Sequence, residues 1–183
     1  LMIGYFALLL TVHLFMTVPA QFQPLVDSDN SQVQIEMVPG TTLEDTERVA
    51  EAIAFMRSAL VLAESTDHRL QLALCLAHLG EVLMDEDETE EAEALLDRAA
   101  ATYLHLGLLD QQCGVRCTQA RLAMKTGDLE QAEAYARRAL QDADTTKNVV
   151  REIDAHCVFA QVLQARKRPA GAREQLSMAR TLA

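Results

Sequence analysis

The chain has 183 residues, a formal net charge of −11, half of its residues hydrophobic and only 4% aromatic. This length allows one domain with a real hydrophobic core. The acidic balance argues against nucleic-acid binding, because the one basic run, at residues 166–168, is too short to neutralise a phosphate backbone. Ala and Leu dominate, Glu, Gln and Arg follow, and these helix formers predict an all-α fold.

The first segment, residues 1–18, is apolar except for four scattered residues. Eighteen helical residues reach about 27 Å, which is close to the ~30 Å hydrocarbon core of a bilayer. The segment is therefore predicted to be a single-pass transmembrane anchor, extended upstream because the chain starts at Leu1 and not at a methionine. Two alternatives are a targeting signal over residues 1–20, in which residues 18–20 resemble a cleavage site, and a buried core helix.

His13 lies inside this apolar run and is a candidate ligand of a haem or pigment metal. No second ligand is visible, so the simpler interpretation is a neutral histidine that faces a protein neighbour. Residues 19–42 are punctuated by prolines and are predicted to form a linker. No Lys or Arg follows the apolar run before Arg48. This lack of positive charge predicts that the rest of the chain lies on the non-cytoplasmic side or within an organelle.

Past residue 42 the apolar positions recur at helical spacing. Thr41 and Glu44 have the spacing of a capping box. The pattern predicts seven helices, at residues 43–64, 68–85, 88–105, 111–126, 128–143, 147–166 and 169–182. Together they form one predicted domain over residues 43–183.

This helical region is self-similar at an interval of forty residues. Three columns recur in four copies: Ala52, Ala92, Ala132 and Ala172; Met56, Leu96, Ala136 and Leu176; and Ala59, Ala99, Ala139 and Ala179. Three of the copies thus place a large side chain between two small ones on one helix, and the copy with Ala136 has a third small residue in that place. Three columns in step across four copies indicate an array of structural repeats.

These columns, together with Leu79-Gly80 and Leu83 in the preceding helix, resemble the tetratricopeptide repeat (TPR) family in its longer subclass of about 40 residues. Gly127 resembles the family's turn between helices, in a C-cap role. The resemblance implies a right-handed helical solenoid of about three helix pairs after a single helix. Two features depart from the family pattern: its usual period is ~34 residues, and Ala120 and Ala160 stand where Gly is typical.

In that family the first helix of each pair lines a concave protein-binding groove. The matching positions here are Leu74, Ala77, Glu81, Met84, Cys117, Arg121, Met124, Lys125, Asp154, Cys157, Gln161 and Gln164. The family's clamp for chaperone tails needs Lys, Asn and Arg at set places, and those places hold other residues here. Glu81 and Asp154 would repel an acidic tail, so a helix or an extended peptide suits this mixed surface better.

The residues predict no catalytic, cofactor or metal site. Cys75, Cys113, Cys117 and Cys157 form neither a disulfide framework nor a CxxC motif, and are interpreted as small buried hydrophobes. Cys117 and Cys157 share a column, but zinc would need further ligands and only Cys113 is near. The chain also has no phosphate-binding loop, nucleophile elbow or HExxH motif.

The sequence therefore predicts a non-catalytic interaction scaffold, as an accessory or assembly subunit of a larger membrane-bound complex. The last helix still carries Leu176, Met178 and Leu182, so another protein subunit is expected to cover it unless the chain is truncated. A first alternative is a soluble or exported peptide-binding adaptor with residues 1–20 as its targeting signal. A weaker alternative is a pigment- or metal-carrying membrane subunit that uses His13 or the cysteines.

Overall fold

A computed structural model describes residues 43–66 and 68–183, with side chains from Arg48 onward. Over these residues the chain forms seven α-helices and no β-strand. The helices are α1 (Leu43–Ser65), α2 (Arg69–Asp85), α3 (Thr89–His105), α4 (Leu109–Thr126), α5 (Leu129–Thr146), α6 (Val149–Ala165) and α7 (Pro169–Leu182). The all-α prediction is confirmed for the residues that the structure describes. The largest error in a helix end is at α5, predicted to stop at residue 143 and observed to stop at Thr146.

Several predictions fall on residues that the structure does not describe. The membrane anchor at residues 1–18, the linker at residues 19–42, and His13 all lie outside the described ranges. Among the helices of the described ranges, none is both long enough and apolar enough to cross a bilayer.

The helices pack in pairs: α2 with α3, α4 with α5, and α6 with α7. The second helix of each pair also packs on the first helix of the next pair, and α1 packs on α2 in the same way. The backbone of α4 also approaches that of α6 and, narrowly, that of α2, whereas the backbones of α3, α5 and α7 do not approach one another. Because the first helices approach each other backbone to backbone and the second helices do not, α2, α4 and α6 form an inner row and α3, α5 and α7 an outer row of a solenoid-like array.

The alanine columns allow the helices of a pair to approach closely. Ala92, Ala132 and Ala172 are all buried, as the repeat pattern predicts. The approach of α2 and α3 is close at Gly80, where an added Cβ atom would lie 2.9 Å from Cγ of Leu96. Small residues at these positions bring the helices together, and burial of the larger side chains beside them supplies most of the stabilisation.

The turns repeat as regularly as the helices do. The turns inside the pairs each hold one residue of positive φ: Asp87 (66°), Gly127 (88°) and Lys167 (58°), spaced forty residues apart. Two turns between pairs do the same at Gly107 (70°) and Lys147 (55°). Gly127 is the left-handed C-cap residue of α4, so its predicted role is confirmed.

An ionic cluster around one buried carboxylate ties α5 to the turn between α6 and α7. The Glu133 carboxylate is almost fully buried, and Nη1 of Arg166 lies 2.9 Å from its Oε2. Arg166 also donates to the backbone oxygen of Leu129 at 3.1 Å. Arg168 approaches Glu133 to 3.5 Å, and Arg137 pairs with it along the same helix. The carboxylate thus fixes the second pair to the third, since a buried charge must keep its partners.

Candidate protein-binding surface

The predicted groove residues lie on the three inner helices, and their exposure differs from one helix to the next. On α2, Leu74 and Ala77 are half-buried and Glu81 is exposed. Met84, however, is buried, and it belongs to the core cluster of the first pair. Its side chain packs between the helices, so it offers a partner almost no surface.

On α4 the predicted residues lie in two different environments. Cys117 is only 1% exposed and belongs to the core between α4 and the helices around it. Arg121 and Met124 are half-buried, and Lys125 is exposed. Lys125 is nevertheless held at its tip, because Nζ lies 2.7 Å from the Asp87 carboxylate and donates to the backbone oxygen of Met84. The C-terminal end of α4 is therefore joined to the turn between α2 and α3.

On α6 the predicted residues are the most accessible of the set. Gln161 and Gln164 are exposed, and Asp154 and Cys157 are half-buried. Oδ1 of Asp154 lies 3.6 Å from Nη2 of Arg121, so this ion pair bridges two neighbouring inner helices. The pair is partly exposed, so its main effect is to set which charges a partner meets, with little effect on stability.

A second set of contacts between α4 and α6 was not predicted from the sequence. Gly114 leaves room for the Arg151 guanidinium, since a Cβ atom there would lie 3.0 Å from its Nη1. Arg151 pairs with Asp110 at 3.6 Å, and the Asn148 amide donates to the same carboxylate at 2.7 Å. Asn148 also caps α6 by accepting from two of its backbone N–H groups. A polar residue just before Val149 was the only local signal for this cap.

The cysteines of the described region are placed as hydrophobic residues. Cys113 and Cys117 are buried, while Cys75 and Cys157 are half-buried, and all four are free thiols. The hydrogen bond with Cys113, and then burial, raises the pKa of Cys117, so this thiol stays protonated. In the described ranges no three His, Cys, Asp or Glu side chains converge to hold a metal ion.

A cleft of about 300 Å³ lies on the outer side, where α3 and α5 flank α4. Gln131 crosses it, donating through Nε2 to Tyr135 Oη at 3.0 Å and to Glu93 Oε1 at 3.4 Å. Burial raises the pKa of Tyr135. The sequence signal for this cleft was weak, because the column of Tyr135 holds Phe55, Leu95 and Gln175 in the other copies and an aromatic residue is not unique to this one.

Residues 114–141 match the family model described as tetratricopeptide repeat. The match begins inside α4 and ends inside α5, so it covers one inner helix with its outer partner. The pairs α2–α3 and α6–α7 repeat the same pairing at the same forty-residue interval, and α1 precedes them as a single helix. This is a tetratricopeptide-type repeat protein. The family resemblance inferred from the alanine columns is thus confirmed.

Among solved structures, the TPR-type chain is similar to the crystal structure of BtubC (BKLC) from P. vanneervenii. The two share 16% sequence identity with a TM-score of 0.67, over 76% of this chain and 58% of that one. At this identity the likeness supports the helical-repeat fold alone. This chain spans little more than half the length of that structure. A comparison with curated proteins gave no match.

TPR repeats in general form protein–protein interaction scaffolds and are generally non-catalytic. The coarse functional prediction, an interaction scaffold, therefore agrees with the family. The assignment of twelve residues to a binding groove stays a prediction. Two of them, Met84 and Cys117, lie inside the core and are therefore poor candidates for contact with a partner.

Proposed function

We propose that this chain is a non-catalytic scaffold that binds a helix or an extended peptide of another protein along the inner row of α2, α4 and α6. The observation that carries the proposal is the continuity of this surface. Exposed and half-buried predicted residues occur on each of the three inner helices, and α4 lies against both of the others. A partner that crosses the row can therefore contact three successive pairs at once.

The charges of the row select against an acidic partner. Two of the predicted groove residues are cations, and both are already paired, Arg121 with Asp154 and Lys125 with Asp87. Glu81 adds an exposed carboxylate. A peptide with acidic residues would meet carboxylates and neutralised cations, so the partner segment is expected to be apolar with neutral or basic flanks.

Site-specific photo-crosslinking tests this placement. A photoreactive amino acid at Gln161, on the inner row, is compared with the same amino acid at Gln141, an exposed glutamine of the outer helix α5. Cells that express the full chain are irradiated, and the crosslinked proteins are identified by mass spectrometry. The proposal expects one or more discrete partners from position 161 that are missing from position 141. Equal crosslinking from both positions would refute the inner row as the binding surface.

The membrane attachment is a separate proposal that rests on the apolar run of residues 1–18. With residues 1–18 as an anchor and residues 19–42 as a linker, the repeat domain would serve as an accessory or assembly subunit of a membrane-bound complex, on the non-cytoplasmic side. Extraction of membranes with alkaline carbonate tests the anchor. Retention in the pellet supports it, whereas release with a mature N-terminus after residue 20 supports the alternative of a cleaved targeting signal.

The weaker alternative, a subunit that carries a pigment or a metal through His13 or the cysteines, is tested on the same material. Absorption spectra and elemental analysis of the purified full chain would reveal a stoichiometric pigment or metal. A clean ultraviolet spectrum with no bound metal would exclude it.

A further inference from the structure

The two junctions between successive helix pairs differ in charge. The first junction joins α2–α3 to α4–α5, and the second joins α4–α5 to α6–α7. In the second, Nη1 of Arg166 lies 2.9 Å from Oε2 of Glu133 and donates to the backbone oxygen of Leu129 at 3.1 Å. Nη1 of Arg168 lies 3.5 Å from the same carboxylate. The chain thus fills its own second junction with guanidinium groups.

The first junction keeps the acceptors of this arrangement, and they lie in the outer cleft, the space of about 300 Å³ between α3 and α5. Glu93 lines the cleft at the position that corresponds to Glu133, forty residues later. Thr89 lines it at the position that corresponds to Leu129. Glu93 is exposed, and among the described residues its carboxylate accepts only from Nε2 of Gln131, at 3.4 Å. This distance is long for a hydrogen bond, so Glu93 lacks a strong donor.

The donors of this arrangement are missing from the first junction. Thr126 and Asp128 line the cleft at the positions where the second junction has Arg166 and Arg168. Among the described residues, the lining contains three carboxylates and no Lys or Arg side chain. The first junction therefore gathers negative charge around a space whose counterpart in the second junction holds positive charge.

The cations near the cleft do not occupy it. Lys125 precedes Thr126 in α4, but its Nζ lies 2.7 Å from the Asp87 carboxylate. Arg138 is exposed on α5 and is not part of the lining. Burial is the largest influence on the raised pKa of Tyr135 in the cleft, and the charge of Arg138 is the weakest. Neither cation therefore neutralises the lining.

A buried amide oxygen in the cleft also lacks a donor. Gln119 is only 4% exposed and lines the cleft. Its Nε2 donates to Oδ1 of Asp97 at 2.6 Å, whereas no described residue donates to its Oε1. Asp97 itself is a carboxylate at the position where the second junction has Arg137. Because buried polar atoms are normally hydrogen-bonded, this oxygen indicates an occupant that brings a donor into the cleft.

We propose that the outer cleft binds an arginine side chain of another protein. The guanidinium takes the place that Arg166 takes in the second junction, and donates to the Glu93 carboxylate and to the backbone oxygen of Thr89. Its five N–H groups leave donors for Oε1 of Gln119, and its stem lies against the Tyr135 ring. A volume of about 300 Å³ has room for one such side chain.

The arginine has to come from outside this chain. Residues 1–42 and residue 67, which the structure does not describe, contain no Lys or Arg. The arginines of the described helices lie outside the lining of the cleft. The site is on the outer side of the array, so it leaves the inner row free, and the binding proposed for that row holds or fails independently.

Titration of the full chain in mild detergent with N-acetyl-arginine methylamide, a single arginine in peptide form, tests the proposal. Proton–nitrogen correlation NMR follows the side-chain amides of Gln119 and Gln131, which line the cleft. We expect both signals to shift saturably, with a dissociation constant in the millimolar range. The citrulline analogue, which has the same length and no charge, should not shift them. The lysine analogue should bind more weakly, because an ammonium lacks the planar fork of a guanidinium.

Two carboxylate variants separate the cleft from the net charge of −11. Glu93→Gln should weaken binding of the arginine probe by about threefold to tenfold, because a partly exposed charge-assisted contact is lost. Glu174→Gln removes the same charge from an exposed position on α7 and should leave binding unchanged. Equal weakening by both variants, or equal shifts with the citrulline or lysine analogue, would overturn the site.

Thr126→Arg supplies the guanidinium from the chain itself, at the position that corresponds to Arg166. It should abolish the shifts caused by the arginine probe and raise the melting temperature more than Thr145→Arg does. Thr126 and Thr145 are both exposed in the last turn of a helix, where a cation is favourable anyway, so only the difference reports on the cleft. A Thr126→Arg chain that binds the probe like the wild type, or that melts no higher than Thr145→Arg, would overturn the assignment.

Discussion

The substitution Gly80→Ala, which adds a single methyl group, tests how closely α2 packs against α3. A Cβ atom at this position would lie 2.9 Å from Cγ of Leu96, 3.1 Å from its Cδ2 and 3.3 Å from the backbone oxygen of Ala92. Leu96 is fully buried and cannot swing away. In the next pair, Ala120 stands in place of Gly80 and Ala136 in place of Leu96. The extra methyl group on α4 is thus accommodated by a smaller side chain on α5.

The expected effect of Gly80→Ala combines two opposing contributions. Alanine is better than glycine inside a helix by about 1 kcal/mol, whereas overpacking a rigid core costs about 1–3 kcal/mol. The substitution should therefore lower the free energy of unfolding by about 1 kcal/mol. In a Leu96→Ala background, which itself costs about 2–5 kcal/mol, the obstacle is gone and the same substitution should stabilise by up to about 1 kcal/mol. The double-mutant cycle should thus show a coupling of about 1–3 kcal/mol.

Urea denaturation followed by far-UV circular dichroism measures all four corners of the cycle. Gly171→Ala is a suitable control, because the nearest neighbour of its new Cβ atom would be the end of the flexible Leu163 side chain, at 3.3 Å. That variant should be neutral or more stable than the wild type. If Gly80→Ala stabilises the wild type as much as it stabilises the Leu96→Ala variant, the coupling is zero and the proposed close contact does not set the packing.

Three further predictions follow from the charges and the turns. Lys167→Gly should raise the melting temperature, with a gain of about 1 kcal/mol, because φ at this turn is 58° and a Cβ atom is disfavoured there. Glu133→Ala should lower the free energy of unfolding in urea by about 1–3 kcal/mol, because Arg166 loses its buried partner while Arg137 and Arg168 stay solvated. Glu130→Ala on the exposed side of α5 should change it by under about 0.5 kcal/mol. Burial raises the pKa of Asp142 above 3.8, and Arg116 offsets this only in part. The folded chain therefore holds the Asp142 proton more tightly than the unfolded chain does. As the pH rises above 3.8, the wild type should lose stability relative to Asp142→Asn, measured as the difference between their melting temperatures. A difference that moves the other way would show that the ion pair with Arg116 dominates.

The positions of the helices could be predicted from the sequence because their signals are local. Helix-forming residues, apolar spacing and the forty-residue columns each depend on neighbours along the chain. The turn residues were only partly predictable. Gly127 was identifiable as a left-handed cap, but Asp87 and Lys167 adopt the same conformation with side chains that gave no such signal. Their conformation is imposed by the repeated geometry of the helix pairs.

The candidate surface was harder to predict because it depends on how far each inner helix is rotated and on the distance between pairs. The family pattern assigns Met84 and Cys117 to the groove, but the packing turns both into the core. The contacts of Lys125 with Asp87 and of Arg121 with Asp154 join residues from different pairs. Their distances follow from the stacking of the array, which no single segment of sequence encodes.

Small residues and charges have separate roles in this array. The alanine columns decide how closely two helices of a pair approach, and they are the same in every copy. The carboxylates at Glu93 and Glu133 and their donors join one pair to the next, and this column changes sign at Arg173. A periodic fold therefore does not require periodic interfaces, because one substitution in the charged column changes what a face accepts while the helix that bears it keeps its place. In this chain that change lies on α7, where the Arg173 guanidinium cannot accept the hydrogen bonds that the carboxylates of Glu93 and Glu133 accept.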